Sequence, residues 1–505
     1  MKNHLIYACM ALTLLACKQE KNASSQSIKA VPMPSELVSG QQFPTDSSTI
    51  NTWVKNSIVI DNLETNPDII THGWDIWHAL TKYTTQKNNH QALRTFETWY
   101  TPGDIKTALK SNGTFKLEDI DRSHTGHLKI PHQNLHGLEI QGSNVVGFVK
   151  CDPSSANHIL KNKLYYFETL QNMIIPGKVA NIPAFPASSV LIKPVFYPLT
   201  NVDSLGVDTF SLPVWPGYHH QVPMDSVIAN GFGPSSWNND ITITTKGATD
   251  LENKVFSIND FIHFKLDKEQ AAKIVNVIDG GVAKEGDYAV LVGMHVNTRE
   301  NRRWTWQTFW WSENPTTPQS PSSSWIADFQ PDSLDKAAKH YAMALAYNMI
   351  SPVQPYSGGS NALTEQDPIK ESIYAFNPYL EAGFNAGTFD NSGSPSNRHN
   401  SGGNDTIRKY YSEGYQKVGA LQISENVYVG GQLNRVGIQT NCMSCHGQAR
   451  LYNVPAIKDA YQIYVTNQYY DLDAPYFKNT IVLDFAWSIQ GNLIHKYDSL
   501  KLEKE

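Results

Sequence analysis

Apolar positions along the chain change their period several times. Between about residues 34 and 109 they recur three and four apart, and the segments 50–60, 72–83 and 92–100 predict helices. Trp53, Trp74, Trp77 and Trp99 are concentrated there, an aromatic density expected of core packing, with a ligand or docking surface as the alternative. From residue 138 to 199 short strand-like runs take over, at 144–150, 163–167 and 189–197. The last of these alternates and is β-branched, but Pro194 interrupts it and predicts a sheet edge or a bulge. Further strand signals fall at 211–214, 240–245 and 288–296, with a helix expected over 268–277. Segments 292–297 and 304–311 flank a charged turn and predict a hairpin. Trp304, Trp306 and Thr308 then share one face, and Thr305, Gln307 and Phe309 the other, so one face either packs in a core or lines a cofactor. Residues 334–349 read as an amphipathic helix. At the C-terminus Val482, Phe485, Ala486, Ile489, Leu493, Tyr497 and Leu500 form one helical stripe. The expected class is α+β: a helical N-terminal part, a β-rich middle and a mainly helical C-terminal segment.

Composition narrows this only a little. In 505 residues, 40% are hydrophobic and 11% aromatic, as in a globular protein able to bury large cores. The net charge of −6 is spread along the chain and gives no support for a nucleic-acid surface. The N-terminus is different in kind. A basic start and a short apolar run ending in Leu14, Leu15, Ala16 and Cys17 resemble a lipoprotein signal, too short to span a bilayer as a mature helix. Residues 1–16 are expected to be removed, Cys17 to be acylated, and the polar stretch 17–34 to act as a tether. An ordinary secretory signal is the alternative. The expected location is the cell envelope of a bacterium, facing the periplasm or the cell surface.

The chemistry is carried by Cys442-Met443-Ser444-Cys445-His446, a C-x-x-C-H sequence. Two thiols at this spacing can form thioethers to the vinyl groups of a haem, and the adjacent imidazole can reach its iron. With 5 Cys and 17 His in 505 residues, chance supplies this pattern about 0.002 times. A zinc half-site would need two further ligands, and the other cysteines are only Cys9, Cys17 and Cys151. A redox dithiol leaves His446 unexplained. The expected cofactor is therefore one covalently attached haem c, with Cys442 and Cys445 binding it and His446 as proximal iron ligand. Cys151 then stands alone and is expected to be a buried small hydrophobe.

The sixth iron ligand is open. No methionine follows Met443, and His495 is the only later histidine, placed off the apolar stripe. Met294, His295, Met343 and Met349 lie upstream, and a vacant position is the remaining choice. A histidine cluster at His124, His127, His132 and His136 sits in a polar stretch, read as a solvated loop rather than a metal site. Residues 314–324 and 384–405 are loops by composition. The domain reading is then 35–137 Trp-rich and helical, 138–383 β-rich, and 406–505 haem-binding.

Several stretches together resemble a group of large bacterial cytochrome c family proteins. They are His72-Gly-Trp74-Asp-Ile-Trp77, Arg94-Thr-Phe-Glu97-Thr-Trp99, Gly293-Met294-His295, Trp306-Gln-Thr-Phe309-Trp310, Asn377-Pro-Tyr-Leu-Glu381, Asn441 to His446, and Asp484-Phe-Ala-Trp487-Ser488. The resemblance implies haem binding and electron transfer with a redox partner protein, and assigns roles only to Cys442, Cys445 and His446. A haem-dependent oxidoreductase is the first alternative, with Arg94, Glu97, His295 and Arg303 as polar candidates and a small-molecule substrate. A sensing lipoprotein with a structural haem is the second. No nucleophile elbow, phosphate loop or dinucleotide fingerprint is present.

Overall fold

The computed structural model describes residues 28–60, 63–88, 91–111, 116–120, 122, 144–218, 231–274, 281–348, 350–351, 371–373, 375–384, 427–429, 432–434, 436, 442–452, 472 and 477–496. The expected signal segment with Cys17, the cluster His124, His127, His132 and His136, Met349 and nearly all of the 384–405 loop lie outside the described residues. The architecture is mixed α+β with several sheets and a β-rich middle.

Helix α1 (Pro67–Thr81) starts where Asn66 accepts a hydrogen bond from the Asp68 amide and Pro67 takes a position that needs no donor. It buries Ile69, Ile70, Trp74, Ile76, Trp77 and Leu80 completely. Their target is a seven-stranded sheet. Its members are β1 (Val146–Gly147), β2 (Lys150–Cys151), β3 (Val190–Leu199), β4 (His263–Lys265), β5 (Tyr288–Thr298), β6 (Thr305–Trp311) and β7 (Tyr341–Ala346). The order is β7-β6-β5-β3-β1, with β4 added to β5 and β2 to β3, and every pair is antiparallel.

Register fixes which side chains share a face. Gly293, His295 and Asn297 on β5 lie opposite Trp310, Thr308 and Trp306 on β6, and these define the near face. Met294, Val296 and Thr298 point to the far face with Phe309, Gln307 and Thr305. Helix α1 covers the far face: Trp77 stacks on Phe309 with ring centroids 4.4 Å apart, and the Trp74 and Trp77 indoles donate to the carbonyls of Ile326 and Ala338. The helix lies so close that a Cβ on Gly73 would meet Leu345 Cδ2 and Met343 Sδ at 2.7 Å. The near face carries two short helices, α2 (Pro378–Glu381) and α3 (Cys442–His446).

Four sequence expectations need correction. Pro194 does not mark an edge, since β3 is paired on both sides, but it does lie beside a bulge, where the register of β3 with β5 shifts between Leu291 and Gly293. On the side of the break between β1 and β2, the Pro194 carbonyl accepts from the Phe148 amide. Residues 92–100 are not a helix but a strand (Gln91–Arg94) followed by a 3₁₀ turn (Thr95–Thr98), and 163–167 is a turn leading into a helix (Phe167–Met173). The segment 334–349 gives only a short helix (Lys336–Lys339) before β7, whose residues are buried on both faces and so lose the alternation that identifies strands.

The C-terminal stripe is likewise not one helix. Val482 ends a strand (Thr480–Val482), Asp484 and Phe485 are left-handed at φ of 45° and 67°, and a short helix (Trp487–Gln490) follows. Val482, Phe485, Ala486 and Ile489 nevertheless bury into one core, so a strand end and a helix mimic a helical period. A mainly helical C-terminal segment is not what the described residues show. That second core joins Tyr100, Ile105, Leu191, Trp304 and Trp306 to Met443, Leu451 and Phe485. The strand Thr480–Val482 pairs with Val179–Asn181 and with Arg450–Tyr452, which stitches the C-terminal segment to the middle of the chain.

Candidate functional site

Helix α3 is a single turn that places Cys442 and Cys445, three apart, and His446, four from Cys442, around one side of a short cylinder. Both thiols are free and half-buried. The Cys442 thiol approaches the Ala375 carbonyl at 3.9 Å, and the Trp487 indole donates to the Cys445 carbonyl at 3.1 Å. Burial pushes both thiols up to about 12; the charge of Glu381 adds to this at Cys442, while Trp487 works against it at Cys445.

His446 is oriented from two sides. Its Nδ1 lies 2.9 Å from the Phe485 carbonyl oxygen, a bond that places the ring proton on Nδ1 and the lone pair on Nε2. The Phe485 carbonyl is aimed by the left-handed pair Asp484 and Phe485, a conformation that β-carbon-bearing residues adopt only at a cost. The Asp484 carboxylate holds that turn by accepting from Arg299 Nε at 2.9 Å and from the Phe185 amide at 3.0 Å. On the other side, Trp306 on the near face meets the imidazole edge-on, with ring centroids 4.5 Å apart. The Trp306 indole is itself fixed by the Arg303 carbonyl at 2.9 Å.

The candidate sixth ligands fall in three different places. Met294 is fully buried on the far face, and Met343 lies there too, next to Gly73 of α1. His495 is on the surface, its Nδ1 3.0 Å from the Glu168 carboxylate. His295 is on the same face as Trp306, its Nε2 2.5 Å from Glu381 Oε1. Among the described residues no group of three or more His, Cys, Asp and Glu is placed to hold a metal ion.

The other polar candidates are structural in their contacts. Arg94 grips Asp335 with both terminal nitrogens, at 2.6 and 3.1 Å, and lies over the Tyr83 ring. Its amide donates to Glu97 at 2.6 Å, and the Glu97 carbonyl accepts from Lys150. The Arg303 amide is held by Asn301 and its carbonyl by Trp306. Cys151 is fully buried, and burial drives its thiol pKa far above the ordinary range. Sequence reasoning singles out the stretch from Asp484 to Ser488 without this role and misses Arg299, because a carbonyl's aim and a left-handed non-glycine turn leave no signature in residue types.

Comparison with family models, with characterised proteins and with solved structures finds no match.

Proposed function

We propose that the chain is a c-type haem protein of the bacterial cell envelope, anchored by lipid on Cys17 and acting in electron transfer with a protein partner. Cys442 and Cys445 would hold haem c through thioethers, and His446 would be the proximal ligand through Nε2. One observation carries the reading: the histidine of a C-x-x-C-H turn has its Nδ1 tied to a backbone carbonyl. When bound, haem supplies one-electron chemistry whose potential follows its axial ligands and its burial. The chain's own part is to orient and to dry the site. Phe485 fixes the imidazole tautomer and raises its basicity, Trp306 walls one side of it, and Trp487 secures the Cys445 turn. On this reading the attachment site is built onto the near face of the sheet rather than in a separate helical unit. The resemblance to large bacterial cytochrome c family proteins points the same way.

A haem-dependent oxidoreductase is the second reading, favoured by the His295–Glu381 pair on the same face as Trp306. The optical spectrum of the reduced protein, with and without carbon monoxide, separates the two. An unchanged low-spin spectrum supports the carrier. A shifted Soret band supports the oxidoreductase or a sensor, and the absence of a Soret band rules out both.

A further inference from the structure

The near face carries a second polar group that the attachment chemistry does not use. His295 on β5 and Lys193 on β3 are directly opposite each other in register, so their side chains are cross-strand neighbours. The lysine stem passes over Gly147 of β1, where an added Cβ would sit 3.6 Å from Lys193 Cε. Glu381, at the end of α2, faces both strands: its Oε1 is 2.5 Å from His295 Nε2, and its Oε2 accepts the Asn377 amide at 2.5 Å. Tyr218 packs against Phe376 with ring centroids 5.7 Å apart. The short segment 375–381 therefore connects three things: Cys442 through the Ala375 carbonyl, Tyr218 through Phe376, and His295 through Glu381.

Hydrogen bonding around this group is incomplete. Both Glu381 oxygens are engaged, by His295 and by the Asn377 amide. The Lys193 ammonium and the Tyr218 hydroxyl, both half-buried, have no hydrogen-bond or ion-pair partner among the described residues. Each feels the Glu381 charge, and burial lowers the lysine pKa while raising that of the phenol. The lysine nitrogen is half-buried and has no partner among the described residues, so an anion beside it gains a charge-assisted hydrogen bond. Lys193, beside His295 across the strands, and Tyr218, joined to the 375–381 segment through Phe376, are two donors with no acceptor among the described residues, and they suit oxygen atoms carrying negative charge.

We propose that Lys193 and Tyr218, framed by His295 and Glu381, bind one carboxylate or a similar small planar oxyanion. Two sources share that chemistry: a propionate of a haem attached at Cys442, or a free small anion. The first rests on the function proposed above; the second stands without it. Lys193 and Tyr218 donate to the anion's oxygens, and His295, its Nε2 held by Glu381, bounds the site on the β5 side.

Calorimetric titration of the full chain with acetate tests this. It is run on the haem-bearing protein and on haem-free protein, the latter made both as C442S/C445S and as wild type expressed without the haem-attachment machinery. Saturable binding of one acetate to the haem-bearing protein identifies a free-anion site. Binding to the haem-free forms alone identifies the propionate. In whichever form binds, K193M weakens acetate by about tenfold or more and Y218F by less, with no fall in the thermal unfolding midpoint. If neither form binds acetate, or if K193M binds as wild type does, the proposal is overturned. Should the wild type carry no haem at all, the function proposed above fails, and the acetate titration still decides this site.

Discussion

The Nδ1 of His446 and the carbonyl oxygen of Phe485 lie 2.9 Å apart, although the two residues are 39 positions apart in sequence. The bond exists because Asp484 and Phe485 both adopt left-handed backbone angles, and the Arg299–Asp484 ion pair across to the β5–β6 turn helps to keep them there. Removing that carboxylate should release the turn. D484A strands the Phe185 amide and the Arg299 side chain, and is expected to cost about 1–3 kcal/mol in denaturant unfolding. D484N keeps an acceptor and tolerates the left-handed region, so its loss should be the smaller of the two. Equal losses in both variants would contradict this account of the turn.

Trp306 is 5% exposed and stands edge-on to His446, so it is both core and wall. W306A is expected to lower stability by about 3–5 kcal/mol, and W306F by much less. If haem is bound, both variants should also shift its midpoint potential downward, because more water reaches the imidazole side. An unchanged potential in W306A would mean that the indole is structural only.

Both attachment thiols sit at about 12 in the folded chain. At pH 8 their thiolate fraction is then on the order of a thousandfold below that of an ordinary cysteine. Haem-free protein should react slowly with iodoacetamide while folded and rapidly once denatured. If haem is attached here, its thioethers are expected to form before the near face closes over α3. Fast alkylation of the native haem-free chain would contradict the burial described for both thiols.

Glu64 is wholly buried, which raises its carboxyl from 4.5 to about 8, outweighing the nearby Tyr347 and Asn348 amides. The folded state therefore keeps a proton that the unfolded chain releases, and stability falls as pH rises from about 4.5 to about 8. E64Q should flatten that part of the stability–pH curve, measured by denaturant unfolding at several pH values. An E64Q curve that falls through this window by the same amount as wild type would refute the assignment.

Parts of this arrangement are legible in the residues. The hairpin of β5 and β6 follows from alternation, and alternation also separates Trp306 and Thr308, which meet α3 and the Asn377 cap of α2, from Phe309, which meets α1. Helix α1 is legible from its cap and its period. Strand β7 is not, because burial on both faces erases its alternation. The stripe over 482–489 misleads for a related reason: a strand end, a left-handed pair and a short helix all turn apolar side chains toward one core. Glu381 carries no local signal either. Its meaning comes from His295, 86 residues away in sequence and opposite it across the near face.

The central claim is covalent haem at Cys442 and Cys445, and the most direct test is the mass of the tryptic fragment 436–450 from protein produced in a host competent for haem attachment. The account predicts that this fragment carries the mass and the Soret absorbance of one haem, and that the C442S/C445S fragment carries neither. Recovery of the wild-type fragment at its unmodified mass would contradict it.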